Sequence, residues 1–166
     1  MLVVADSSPL IVLIQIGHIE VLPALFGQVV VPPAVLAELR SPHRPPEVRR
    51  FCLRLPPWLV EKAPAVIEPI PSLHAGETAA ISLAKELQAD LLLIDEKAGR
   101  RAASDRNIPL TGTIGVLEFA AEQNLLELEA AFEKVKQTDF WISRQLLDQR
   151  LELFRERRAP DATDGS

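Results

Sequence analysis

Four carboxylates in this 166-residue chain are the residues most suited to chemistry. Asp6 and Asp95 each follow an apolar run, VVA and LLLI, of the kind that forms a buried parallel strand. One aspartate at such a place is often a helix cap or a turn residue. Glu77 is the sharper case. Stepped at about 100° per residue from Glu77, the residues Ala80, Ile81, Ala84 and Leu87 fall within about 80° of it, while Ser82, Lys85 and Glu86 fall between about 80° and 180°. Glu77 therefore lies inside the apolar arc of its helix, where an unpaired carboxylate needs a cation, a proton or strong hydrogen bonds. The plainer reading is a first-turn carboxylate favoured by the helix dipole, with Gly76 near the N-cap. Glu38 lies at the edge of its apolar stripe, about 60° from Val35, and by itself reads as a solvated helix carboxylate.

Brought together without a cation, these groups would repel and some would have to protonate. A hard divalent cation removes the conflict. Mg²⁺ takes oxygen ligands and keeps several waters, so a few carboxylates suffice. The chemistry implied is metal-assisted hydrolysis of a phosphodiester. Glu96 adds an oxygen donor beside Asp95. Rival sites are missing from the sequence. It holds no GxxxxGK[ST] phosphate loop and no GxGxxG fingerprint, and Gly112–Gly115 is too short to count. Asp6-Ser7-Ser8 lacks the second aspartate of an aspartyl-phosphate phosphatase. A Ser7 or Ser8 nucleophile would want a histidine base, and His18, His43 and His74 read as surface or turn residues.

The elements that must position these groups follow from punctuation and periodicity. Met1–Ala5, Val29–Val31, Asp90–Ile94 and Ile108–Thr111 read as strands. Helices are expected at Leu10–Ile16, with Ser8 as N-cap and Pro9 opening the first turn, and at Ile19–Phe26, these two closed by Gly17 and Gly27. Further helices fit Ala34–Arg40, Glu47–Leu55, Ala75–Gln88, Lys97–Arg106, Thr113–Gln123, Glu127–Lys136 and Arg144–Arg157. Ser41–Pro46 is a turn-rich loop. Within the proline-rich stretch Pro56–Pro71, Trp58–Val60 and Val66–Ile70 read as extended pieces. Strands alternating with helices make an α/β protein with a mainly parallel sheet, whose ligands bind at the carboxyl ends of the strands. The expected layout is a single domain over 1–158, followed by a polar, disordered tail from Ala159.

Composition sets the outer limits. Hydrophobic residues make up 48% and charged residues 25%, values of an ordinary globular chain. A single cysteine, Cys52, excludes an internal disulfide framework and a thiolate cage, and it reads as a small buried hydrophobe. The net charge of −5 leaves no global basic field. Thirteen of the 18 cations are arginines, grouped at Arg40–Arg54, Arg100–Arg106 and Arg144–Arg158. Arginine suits phosphate recognition, so the distribution fits nucleic acid held through bridging metals, and equally an ordinary solvated surface. No apolar run approaches the ~20 residues that span a bilayer, and no cationic segment precedes Asp6. A soluble, cytoplasmic protein without a signal peptide is the expectation.

VVADSSPLI at the N-terminus, PPAVLAEL at Pro32–Leu39, GETAAISLA at Gly76–Ala84, LLLIDEKAGRRAA at Leu91–Ala103 and TGTIGVLEFA at Thr111–Ala120 together resemble the PIN-domain nuclease superfamily. The nearest likeness is to a group of prokaryotic PIN-like proteins akin to VapC-type toxins. The ordered set, from about Met1 to Gln123, carries the likeness rather than any single motif. The resemblance implies a Rossmann-like sheet whose acidic pocket binds Mg²⁺ or Mn²⁺ and cleaves RNA. Asp6 matches the first-strand aspartate, Glu38 the glutamate after the second strand, Glu77 the acidic residue opening the central helix, and Asp95 the aspartate ending the fourth strand. Ser7, Ser8, Glu96, Thr113 and Arg100 are then candidates for orienting ligands or touching substrate. The chain departs from the family in having Ser7-Ser8 after the first aspartate, where Thr-Asn or Thr-Ser is usual, and Glu77 where aspartate is common.

The leading expectation is a metal-dependent endoribonuclease, the toxin of a toxin–antitoxin pair, inhibited by a small antitoxin protein. Leu146, Leu147, Leu151 and Phe154 would supply its groove or a homodimer surface. Two alternatives stand beside it: a catalytically silent PIN-like module that binds RNA or protein, and a small metal-dependent nucleotide phosphohydrolase.

Overall fold

The structure, a computed structural model, describes residues 1–159. Its elements in chain order are β1 (Val3–Ala5), α1 (Ser7–Gln15), α2 (Val21–Phe26), β2 (Val29–Val31), α3 (Pro33–Leu39), α4 (Pro46–Leu53), β3 (Leu59–Glu61), α5 (Ala75–Glu86), β4 (Leu91–Leu93), α6 (Lys97–Asp105), β5 (Leu110–Thr111), α7 (Thr113–Glu122), α8 (Leu128–Lys136) and α9 (Arg144–Arg158). The chain forms two compact units, Met1–Val116 and one that begins at Leu117. The tail expected to be disordered lies, beyond Ala159, outside the described residues.

In the first unit all five strands are parallel, in the order β3-β2-β1-β4-β5. The strands are short, apolar and buried along the middle of the sheet, as helices on both faces require. Val4 pairs with Val30 on one side and Leu92 on the other. The chain winds outward through β2 and β3, then returns to lay β4 against the far side of β1. The winding therefore reverses between β1 and β4, and that reversal opens a crevice at their carboxyl ends. Asp6 follows β1 and Asp95 follows β4. The α/β class and the mainly parallel sheet are as the sequence indicated.

Several boundaries differ, each for a local reason. Helix α1 starts at Ser7 with Asp6 as the N-cap residue, not at Leu10 after Ser8. Pro9 is tolerated there because the first-turn N–H groups have no partner within the helix. Helix α5 ends at Glu86, and Gln88 turns into the left-handed region at φ 50°. The Ala89 N–H then reaches back to the Ala84 carbonyl at 2.9 Å, closing the helix without a glycine to announce it. Trp58–Val60 overlaps strand β3, whereas Val66–Ile70 forms no strand. That segment lies along α5 instead: the Glu68 N–H donates to Ser82 Oγ at 3.0 Å, and Ser82 is buried although it belongs to the polar side of the wheel.

The second unit holds α8 packed on α9. Leu147 and Phe154 are buried, so they belong to the interior rather than to an exposed groove, while Leu146 is exposed. Leu147, Leu151 and Phe154 recur at helical spacing, and packing rather than docking accounts for the two that are buried. Among the described residues no helix is long and apolar enough to cross a membrane.

Candidate active site

The crevice between β1 and β4 collects the four carboxylates singled out from the sequence. The Asp6 N–H donates to the Leu93 carbonyl at 2.9 Å, which ties the residue after β1 to the end of β4. Asp6 itself is 3% exposed. Asp95 is held by three donors: Thr113 N–H to Oδ1 at 2.7 Å, Thr113 Oγ1 to Oδ2 at 2.7 Å and Ser8 Oγ to Oδ2 at 3.2 Å. The Arg100 Nη1 donates to the Ile94 carbonyl at 3.2 Å, beside Asp95.

Glu38 is not the solvated carboxylate that its helix wheel suggests. Ser7 Oγ donates to its Oε2 at 2.5 Å and the Gly76 N–H to its Oε1 at 3.1 Å. The second bond is the first turn of α5 receiving a negative charge, a favourable place for one. It depends on Gly76, because a Cβ at that position would collide with the Glu38 carboxylate. Gly112 is cramped in the same way: a Cβ there would lie 2.6 Å from Asp95 Oδ1 and 2.8 Å from Arg100 Nη1. Neither close approach follows from the sequence reading, which placed Gly76 near an N-cap and Gly112 in a stretch too short for a phosphate loop. Their signal was position, one immediately before Glu77 and one immediately before Thr113.

Glu77 occupies the first turn of α5 and is 7% exposed, as its place in the apolar arc required. Both readings of it hold at once, since it is a first-turn carboxylate and also faces inward. Glu96, exposed at the start of α6, shares a hydrogen bond with it.

The electrostatics follow from this crowding. Burial pushes the Asp6 carboxyl up to about 7, with the Glu38, Asp95 and Glu96 charges adding to the rise and the Ser7 backbone N–H opposing it. Burial also pushes Glu77 up to about 8, reinforced by the hydrogen bond and charge of Glu96 and by the charges of Asp6 and Glu38. Asp95 rises through burial too, held back by Thr113, Ser8 and Arg100. Asp6 Oδ1 and Glu77 Oε2 are buried and have no hydrogen-bond partner.

Buried anionic oxygens without partners, among neighbours of like sign, suit a hard cation by the chemistry of the donor set. As the side chains stand, no three His, Cys, Asp or Glu residues among those described form a ready ligand set. Mg²⁺ does not demand one, because it binds through one or two carboxylates and retains water. Asp6 and Glu77 fit such an ion best through their free oxygens, with Asp95 and Glu38 held nearby.

A doubly wound parallel sheet with acidic side chains gathered at its switch point is a Rossmann-like domain built for a charged ligand. The profile of the family DUF3368, described as a PIN domain, matches residues 2–156, and the chain belongs to that PIN-domain family. PIN domains as a class are nucleases. No curated protein matches the chain.

Proposed function

We propose that the protein is a metal-dependent endoribonuclease whose metal is held by Asp6, Glu77, Asp95 and Glu38. The observation that carries this reading is the pair of buried, partnerless oxygens on Asp6 and Glu77, on carboxyls raised to about 7 and 8 by burial and mutual repulsion. When bound, Mg²⁺ or Mn²⁺ supplies Lewis acidity to the phosphodiester and its attacking water. The chain's own part is positional. Thr113 and Ser8 fix Asp95 in one orientation, and Ser7 with the Gly76 N–H fixes Glu38. The Glu96 charge helps hold the Glu77 carboxyl up near 8, so a cation arriving there would draw the Glu77 proton off. Arg100, whose Nη1 holds the Ile94 carbonyl beside Asp95, is the cation this reading assigns to a phosphate oxygen.

Cleavage of a structured RNA with Mn²⁺, with EDTA as control, tests the reading. Wild-type protein should cut, and Asp6→Asn and Asp95→Asn should not. Equal cleavage by all three would assign the activity to a contaminant. A role as the toxin of a toxin–antitoxin pair, with a small protein inhibitor, extends the same reading. Co-purification of the native protein tests that extension, and elution as a lone monomer would count against both the inhibitor and a homodimer. The lack of a ready three-ligand set favours a second reading, a silent PIN-like module that binds RNA without cutting it. RNA binding without metal-dependent cleavage would decide for it.

A further inference from the structure

A cavity of about 540 Å³ lies at α4 and the end of α3, lined by Arg40, Pro46, Arg49, Arg50, Cys52 and Leu53. Three of the six lining residues are arginines and none is acidic, in a chain whose net charge is −5. Among the described residues Arg40, Arg49 and Arg50 make no ion pair. Surface arginines elsewhere do find carboxylates, as Arg106 does with Glu68 and Arg155 with Glu129. The other half of the lining is apolar: Pro46, Leu53 and the buried thiol of Cys52, which burial pushes up despite the nearby Arg40 charge. That thiol is therefore neutral and adds no anion.

The cavity is tied to the acidic crevice through the backbone. Arg40 caps the helix that carries Glu38. Arg44 Nε donates to the Glu38 carbonyl at 3.2 Å, and Arg49 Nε donates to the Arg44 carbonyl at 3.1 Å. Helix α4 is packed on α1 and α3, so the arginines stand on a firm support.

We propose that this cavity binds one unpaired nucleotide of an RNA single strand next to the bond to be cut, the arginines on its phosphates and the apolar side on its base. The volume lies within the 300–1,000 Å³ range of small-ligand sites, ample for a nucleotide. Three guanidiniums suit phosphates, and guanidinium planes with the apolar side chains of Pro46 and Leu53 suit an unstacked base. Duplex RNA keeps its bases stacked and cannot fill it. The proposal rests on the nuclease reading for its account of why the strand is there, and its test is separable.

The experiment measures binding of a labelled 12-nucleotide single-stranded RNA by fluorescence anisotropy, with the full chain in EDTA, across a salt series. The proteins compared are wild type, the triple variant Arg40→Gln/Arg49→Gln/Arg50→Gln, its Lys counterpart, and a charge-matched control, Lys134→Gln/Arg144→Gln/Arg155→Gln. The pocket variant should bind about tenfold more weakly, and its log K against log salt slope should be shallower by about 1.4, or roughly 0.7 for each of the two phosphates flanking the nucleotide. The Lys counterpart should retain most of the slope, which separates charge from misfolding. The control should bind as wild type does. Equal weakening of control and pocket variant, unchanged binding by the pocket variant, equal affinity for duplex RNA, or no binding by the wild type would each overturn the proposal. Pocket-dependent binding without Mn²⁺-dependent cleavage would leave the cavity assigned and remove the nuclease. Cleavage with pocket-independent binding would do the reverse.

Discussion

Two buried carboxylates, one in each compact unit, have opposite surroundings. Glu118 accepts Arg150 Nε at 3.1 Å and Arg150 Nη2 at 2.6 Å on the same oxygen, Oε1, and faces Arg157 Nη2 at 3.4 Å with the other. Asp6 is as deeply buried, yet one of its oxygens meets no donor, and the charges of Glu38, Asp95 and Glu96 act against its own. A carboxylate buried for the sake of the fold is paired, because an unpaired one costs several kcal/mol. A carboxylate buried without a partner marks a place where the fold tolerates strain for a ligand. The contrast gives the crevice its functional reading without appeal to any relative.

The largest expected break in that contrast is catalytic. Asp6→Asn or Asp95→Asn should lower Mn²⁺-dependent cleavage by roughly three orders of magnitude, or about 4 kcal/mol of transition-state stabilisation. The substitution keeps shape and removes charge, so in the metal-free protein Asp6→Asn should raise the melting temperature, the opposite of its effect on rate.

Metal and pH come next. Mg²⁺ or Mn²⁺ at a hundredfold excess over Kd should stabilise the fold by about 2.7 kcal/mol, and the Asp6→Asn/Asp95→Asn double variant should lose that gain. Because Asp6 and Glu77 bind their protons more tightly when folded, the stability these two groups contribute to the metal-free protein is greatest at low pH. That stability declines from about pH 4 upward and flattens near 7 for Asp6 and near 8 for Glu77. Melting scans at pH 5 and pH 8, with and without metal, should show the larger metal shift at pH 8. An identical shift at both would separate the metal from these two groups.

Glu118→Gln probes the other side of the comparison. It leaves Arg150 and Arg157 unpaired, but both are about half exposed and can turn to water. The cost should be about 1–2 kcal/mol in a denaturant titration, below the 3–5 of a fully buried pair. Cleavage measured well below the melting temperature should be unaffected. The smallest effect sharpens the crevice itself: Gly112→Ala should slow cleavage by about tenfold, or about 1.4 kcal/mol, because its Cβ displaces Asp95 or Arg100. Far-ultraviolet circular dichroism should show the fold intact.

Much of this was legible in the order of residues. Apolar runs ending in aspartate gave the inner strands, and the wheel around Glu77 placed it inward, because a three- or four-residue period records burial directly. Gly17 and Gly27 stopped helices as expected, both at positive φ. Gln88 did the same work at the end of α5 and carried no signal, since glutamine has no local preference for that conformation. Glu38 was legible only through the family resemblance and not through its own helix. Its wheel position said water, yet Ser7 and the Gly76 N–H, 31 and 38 residues away in sequence, hold it in the crevice. Nor could spacing reveal that Ser7 serves Glu38 while Ser8 serves Asp95.

The sequence by itself determined most of the element types, the inward-facing apolar stripes of the helices and the residues able to bear a cation. These depend on local periodicity and on side-chain chemistry, which the chain carries in its order. Only the tertiary structure decided which carboxylates meet partners and which stand bare. Winding β4 back against β1 brings Asp6 and Asp95 to one crevice from 89 residues apart in number, and no local rule encodes which donors arrive with them. Partnering is a long-range property, because a hydrogen bond acts over about 3 Å while the residues that make it are set anywhere along the chain.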